Sequence, residues 1–201
     1  MTDDRDEFQT QSRSKALAMG ADPEIQRLDR ELTIVSDEHD YSYMWNWLGL
    51  PIIQMPADIV VTQEIIWQNR PQVIIETGVA RGGSVVLHAS MLQLIGEGQV
   101  VAVDIDIRPH NRAAVEEHPL AYRVTLIEGS SVEADVLDQL EAAIGDAERV
   151  MVVLDSNHTH EHVLAEIELY TRFVTPGQFM IVADTLVEDL PYQEHRPRPW
   201  G

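Results

Sequence analysis

The sequence predicts an α/β fold, a parallel sheet flanked by helices, on three observations. Short unbroken apolar runs alternate with longer stretches of helical periodicity, the pattern of strands joined by covering helices. The runs stop at acids, Glu76, Asp104, Glu128, Asp155 and Asp184, and the carboxyl ends of parallel strands are where open sheets of this kind place their ligands. The first run is followed by Gly78, Gly82 and Gly83, a tight turn that lets backbone approach backbone or ligand closely.

Residues 1 to 38 are charged and sporadically apolar, which predicts an arm with one helix near Pro23 to Leu32. Tyr41 to Pro51 holds two of the four tryptophans and two of the five tyrosines; it reads as an aromatic cap on the core or a lid over an acceptor. Ile59, Val60, Ile65, Ile66 and Trp67 fit an amphipathic helix over Pro56 to Asn69 leading into the first strand, Val73 to Ile75. After the glycine turn, Val85, Val86, Leu87, Met91, Leu92 and Ile95 recur with helical spacing. A second strand spans Gln99 to Asp104, a short helix Arg112 to His118, and a third strand Tyr122 to Glu128. The next helix, Val132 to Ile144, has Ser130 or Ser131 as expected N-cap and Gly145 as C-cap. Strand four covers Arg149 to Asp155. The helix from Thr159 to Phe173 is expected to bury Val163, Leu164, Ile167 and Leu169, and strand five covers Gln178 to Ala183.

In domain terms, residues 1–70 read as arm, cap and lead-in helix and 71–201 as the sheet domain. The end, Glu194 to Gly201, carries no strand signal, and five parallel strands leave an apolar edge open. The expectation is therefore that further sequence, or a second copy in a homo-oligomer, covers that edge.

Composition narrows the function classes. The 201 residues are 44% hydrophobic, enough for one sizeable core. A net charge of −20, from 34 acids against 14 bases, repels phosphate, so neither nucleic acid nor an anionic membrane surface is an expected partner. The chain has no cysteine, so it offers no disulfide and no thiolate chemistry and is compatible with the cytoplasm. No apolar run approaches the roughly 18 residues of a membrane span, and the polar, acidic amino terminus is unlike a signal peptide.

The chemistry-bearing residues cluster at the strand ends. Asp155 and Asp184 end neighbouring strands, and two nearby carboxylates repel unless a proton or cation joins them. Mg²⁺, which favours oxygen ligands and keeps several waters, suits the pair; Thr185 offers a further oxygen. Of the histidines at 158, 160 and 162, those at i and i+2 cannot share one helix face, and H-E-x-x-H is absent, which argues against zinc. His158, in the loop after the fourth strand, reads either as a general base for a hydroxyl or as a helix cap.

The E-x-G-x-x-x-G-G spacing of Glu76 to Gly83, with Asp104 ending the next strand, resembles the S-adenosylmethionine pocket of class I methyltransferases. More specifically, I-I-E-T-G-V-A-R-G-G-S, V-A-V-D-I-D-I, V-V-L-D-S-N-H-T-H-E-H-V, I-V-A-D-T-L-V-E-D-L-P and the terminal R-P-W-G resemble the cephalosporin hydroxylase or rhamnosyl O-methyltransferase group. That resemblance implies a Rossmann-like, Mg²⁺-dependent O-methyltransferase acting on a hydroxyl of a small molecule, a sugar or a glycosylated natural product. It implies Glu76, Gly78, Gly82, Gly83 and Ser84 on the methionine side of the cofactor, Asp104 on the ribose and Asp106 on the adenosine side. Gly129, Ser130 and Ser131 would border the adenine, Asp155 would stand at both cofactor and metal, Asp184 and Thr185 would join it on the metal, and His158 would be the base. The family's seven-stranded sheet has two strands more than the five legible here.

Three alternatives remain open at this stage. A nucleotide-sugar or NAD-dependent oxidoreductase uses a similar sheet, but G-x-G-x-x-G and a Tyr-x-x-x-Lys pair are missing. A noncatalytic cofactor-binding or assembly protein would keep the pocket alone. A metal hydrolase would need Asp155, Asp184 and His158 but not Glu76 or Asp104.

Overall fold

The computed structural model describes residues 3–186 and Leu190; Val187 to Asp189 and Pro191 to Gly201, including the Arg-Pro-Trp-Gly end, lie outside the described residues. The chain divides into two compact units, Met1–Tyr41 and Ser42–Gly201.

The first unit is more helical than expected. Helix α1 spans Arg5–Gly20 and α2 spans Pro23–Asp37. The second was legible because Asp22 is an N-cap whose side chain accepts from the Glu24 amide at 2.9 Å, with Pro23 following at the first helical position. Helix α1 lacks an apolar stripe and buries no residue. Its string of Glu, Gln, Arg, Lys, Ala and Leu forms helix by intrinsic propensity, which periodicity does not register.

The second unit opens on a hairpin, β1 (Trp45–Trp47) and β2 (Leu50–Ile52), paired antiparallel with Trp47 opposite Leu50. Leu48 and Gly49 have φ of 46° and 97°, the two-residue turn whose twist matches its strands. Trp45, Trp47 and Leu50 pack against the core, and Trp47 Nε1 donates to Ser90 Oγ at 3.0 Å. The aromatic segment is thus a cap on the core. Helix α3 (Pro56–Asn69) follows, as its periodicity predicts.

The sheet comprises β3 (Val73–Thr77), β4 (Gln99–Asp104), β5 (Val124–Glu128), β6 (Val150–Leu154) and β7 (Met180–Val182). Their order is β5-β4-β3-β6-β7, all parallel. The first strand is central and the chain reverses direction across the sheet between β3 and β6, the switch point at which such sheets open a crevice. Strands β3 and β6 are buried throughout, hence their continuous apolar runs. The connecting helices are α4 (Gly83–Ile95), α5 (Pro109–Glu116), α6 (Ala134–Ile144) and α7 (His160–Tyr170).

The core has two parts. Ile74, Val100, Ala102, Met151 and Val153 share one cluster with residues of α3 and α4; Val73, Ile75, Val101, Val150 and Val152 share the other with α6, Tyr170 and Phe173. This is the period-two alternation of a sheet covered on both faces. Helix α4 is buried on nearly every side, because the hairpin covers its outer face.

Two local expectations are corrected. Helix α6 starts at Ala134 with Glu133 at its N-cap and no side-chain cap; Ser131 is not its cap because Ser131 Oγ lies 3.2 Å from His162 Nε2 instead. On α7, Ile167 and Leu169 pack against the core as expected, but the fully buried residues are Glu166 and Tyr170, and Leu164 is exposed. Gly145 caps α6 as expected, its amide donating to the Glu141 carbonyl.

Candidate active site

The carboxyl ends of β3, β6 and β7 bring the candidate residues together. After β3, Gly78 has a φ of 94°, and a Cβ there would stand 1.9 Å from the Asp155 carbonyl oxygen. The residue must therefore be glycine for the first and fourth strand ends to close against each other. Gly83 has a packing reason of its own: a Cβ would lie 2.3 Å from the Pro51 carbonyl oxygen of the hairpin. Ala80 holds φ 44°, a conformation an alanine adopts only under constraint. The constraint is visible, since Asp104 Oδ2 accepts from the Val79 and Ala80 amides at 2.8 and 3.1 Å and Asn111 Nδ2 donates to the Ala80 carbonyl at 2.6 Å.

Asp104 thus organises the glycine loop, and its Oδ1 also accepts from the Asp106 amide at 3.1 Å. Carboxylate oxygens carry two lone pairs each, so Oδ1 retains accepting capacity. Asp106 is itself exposed. Glu76 is not at the strand tip but inside it, fully buried; one oxygen accepts from Ser84 Oγ and the other lies 2.9 Å from His88 Nδ1. Two of the expected cofactor residues, Glu76 and Ser84, are therefore bonded to each other. Gly129 follows β5 with its amide donating to the Asp104 carbonyl, Ser130 is part-buried and Ser131 buried.

Beyond the switch point, Asp155, His158 and Asp184 converge, with one ligand atom from each within 4.8 Å of the others. His158 Nε2 stands 3.2 Å from Asp184 Oδ2. Asp184 holds φ 53°, in the left-handed region that aspartate tolerates better than most residues. Burial pushes the Asp155 carboxyl well above the usual carboxylate range, and the charges of Asp184 and Glu76 push it further; a hydrogen bond from Gln54 acts in the opposite sense. A carboxyl held back from ionising by its neighbours is one that a divalent cation would stabilise as the anion. The donor set of two carboxylates and an imidazole fits a small oxygen-seeking cation on Asp155 and Asp184. Thr185 follows in an exposed turn.

Sequence reasoning missed Gln54, His88, Asn111 and Glu166. Gln54 lies at the exit of an unpredicted hairpin, and the others are polar residues inside helices whose apolar neighbours dominate the pattern.

A Rossmann-like sheet with a glycine loop at its switch point and an acid pair on the next strand ends belongs to the class of open α/β proteins that bind a ligand in the crevice at the carboxyl ends of their strands. A family-level match to rhamnosyl O-methyltransferase/CmcI spans residues 39–201, and the chain belongs to that family. The rhamnosyl O-methyltransferase of Mycobacterium leprae (strain TN) is 27% identical over 161 residues, covering 76% of this chain and 68% of that protein. Its counterpart in Mycobacterium bovis (strain BCG / Pasteur 1173P2) is 25% identical over 166 residues, covering 79% and 66%. The chain thus spans about two thirds of the length of these curated relatives. Among solved structures, CmcI described with Mg-SAM superposes with a TM-score of 0.57 at 19% identity, covering 73% of this chain and 60% of that one. CmcI described with SAH gives 0.54 at 18% identity, covering 75% and 70%. These two likenesses establish the fold, and the family match favours a transferase over the oxidoreductase and hydrolase alternatives. Among the described residues, no helix is long and apolar enough to cross a membrane.

Proposed function

We propose that this chain methylates a hydroxyl of a sugar-like small molecule, using S-adenosylmethionine and Mg²⁺. The observation that carries the reading is the shared wall between the two half-sites: Gly78 of the glycine loop abuts the Asp155 backbone, and Asp155 heads the cluster with His158 and Asp184. When bound, the cofactor supplies a methyl group on a good leaving group and the cation lowers the pKa of a nearby hydroxyl. The chain's own residues supply position and proton handling.

Asp155 and Asp184 would hold the cation through carboxylate oxygens, and the His158 imidazole, oriented by the contact of its Nε2 with Asp184, would take the hydroxyl proton. These residues would hold the deprotonated hydroxyl in line with the methyl group that the bound cofactor would supply. The glycine loop of Gly78, Gly82 and Gly83, with Glu76 and Ser84 behind it, would border the methionine part of the cofactor. Asp104 would accept from the ribose through Oδ1, with Asp106 beside it, and Gly129, Ser130 and Ser131 would border the adenine. Thr185 would contribute an oxygen near the cation. The acceptor class follows the relatives' rhamnosyl specificity: a deoxysugar glycoside with neighbouring hydroxyls. Further sequence or a second copy of the chain would cover strand β7, and a homo-oligomer acting in the cytoplasm is compatible with this reading.

Titration calorimetry with S-adenosylhomocysteine, with and without Mg²⁺, tests the reading. Binding of both, with metal binding lost in Asp155→Asn and nucleoside binding weakened in Asp104→Ala, is the expected result. Failure of the wild-type chain to bind the nucleoside would overturn it.

A further inference from the structure

A second polar cluster lies outside the proposed reaction centre, on the buried face of α7. Glu166 is 1% exposed and Tyr170 fully buried, and with His162 they stand at i, i+4 and i+8, one stripe of the helix. Glu166 Oε1 accepts from Ser156 Oγ at 2.7 Å and lies 3.4 Å from His162 Nε2. His162 Nε2 is in turn 3.2 Å from Ser131 Oγ, and the Tyr170 hydroxyl donates to the Ser131 carbonyl at 2.9 Å. Glu166 Oε2 is buried with no partner among the described residues.

Stability alone does not explain a carboxylate here. Burying one costs several kcal/mol by order of magnitude, and an apolar side chain of similar volume often packs as well or better. The α7 face lies against a cluster of Val, Leu, Ile and Phe that would accept such a residue. What the carboxylate adds is direction. Ser156 immediately follows Asp155 at the end of β6, so fixing its hydroxyl fixes the backbone that aims Asp155. Ser131 sits in the loop after β5, two strands away from β3 on the opposite side of the switch point. One helix face therefore grips the loops on both sides of the crevice.

We infer that Glu166 is a positioning residue: through Ser156 it holds Asp155 in metal-binding geometry, and through His162 it anchors the Ser131 loop. The inference rests on the function proposed above. Groups that orient metal ligands in this way change metal affinity by about 10- to 100-fold when removed.

The test uses the full chain and calorimetry with Mg²⁺ and with S-adenosylhomocysteine, alongside thermal melting. Glu166→Leu keeps the volume and loses the acceptor; it is expected to fold and to bind Mg²⁺ about 10- to 100-fold more weakly. Glu166→Gln retains a carbonyl oxygen for Ser156 and is expected to restore most of that affinity. Ser156→Ala should match Glu166→Leu, and the double variant should be no weaker than either single one, since both remove the same contact. Wild-type Mg²⁺ affinity in folded Glu166→Leu, or full additivity of the two losses, would overturn the inference. Should Glu166→Leu fail to fold, Ser156→Ala decides alone: unchanged metal affinity refutes the strut and a loss supports it. A wild-type chain that binds the nucleoside and Mg²⁺ while these variants match it would leave the function standing and remove only the positioning role.

Discussion

Each face of the sheet buries one glutamate held by a serine and a histidine, and the two are built differently. On the α4 face, Glu76 projects from a central strand and both its oxygens are engaged, by Ser84 and His88 of one helix. On the α7 face, Glu166 projects from the helix, one oxygen serves both Ser156 and His162, and the other has no partner among the described residues. The first cluster lies within a strand, its turn and the helix that follows, so it locks a local strand–loop–helix unit. The second joins a helix to two separate loops, so it sets the geometry between them. Glu76 has both oxygens bonded within one local unit, whereas Glu166 keeps one oxygen spare while linking two loops, so removing the first should weigh on stability and removing the second on loop geometry.

The largest expected effect follows from the first cluster. Glu76→Ala leaves a fully buried His88 without its partner and should cost about 3–5 kcal/mol, as when one member of a buried pair is removed; thermal or urea unfolding measures it. A loss below about 1 kcal/mol would break the comparison, because the two glutamates would then not differ in structural weight. Glu166→Ala should cost less, about 1–3 kcal/mol, because the hydroxyl of Ser156 and the imidazole of His162 that it leaves unpaired are only partly buried.

A third prediction has the opposite sign. The Asp155 carboxyl titrates above its ordinary range in the folded, metal-free chain, so the folded state holds that proton more tightly than the unfolded one. Its contribution to stability is complete below about pH 4, the unfolded value, and is lost as pH rises through the folded value. Asp155→Asn should therefore melt higher than the wild type at pH 8 without metal, with the difference vanishing near pH 4. Added Mg²⁺ should stabilise only the wild type. Equal melting temperatures at pH 8 would deny that Asp155 is under electrostatic strain. The smallest effect belongs to His162, part-exposed at the edge of the second cluster; His162→Ala should cost about 0.5–1 kcal/mol and shift nucleoside affinity more than metal affinity, which calorimetry separates.

The legibility of the molecule followed the same division. Val73 to Ile75, Val100 to Val103 and Val150 to Leu154 announce themselves because strands covered on both faces need apolar residues at every position. Asp155, His158 and Asp184 were readable as a group because adjacent parallel strands deliver their terminal residues to one edge. The hairpin was not, since three residues per strand are too few for a period to show. Helix α7 misled because Leu164 and Val163 suggest an apolar face, whereas the buried one carries Glu166 and Tyr170.

The sequence by itself determined the strand–helix alternation, the acid at each strand end and the glycine turn, all of which depend on periodicity and on backbone restrictions local to a few residues. Tertiary structure alone decided that Gly78 is pressed against Asp155, that Asp104 shapes the glycine loop through its amides, and that Glu76 and Glu166 are interior. Those facts depend on which segments meet across long stretches of chain, and an isolated carboxylate looks the same in sequence whether water or a histidine will surround it.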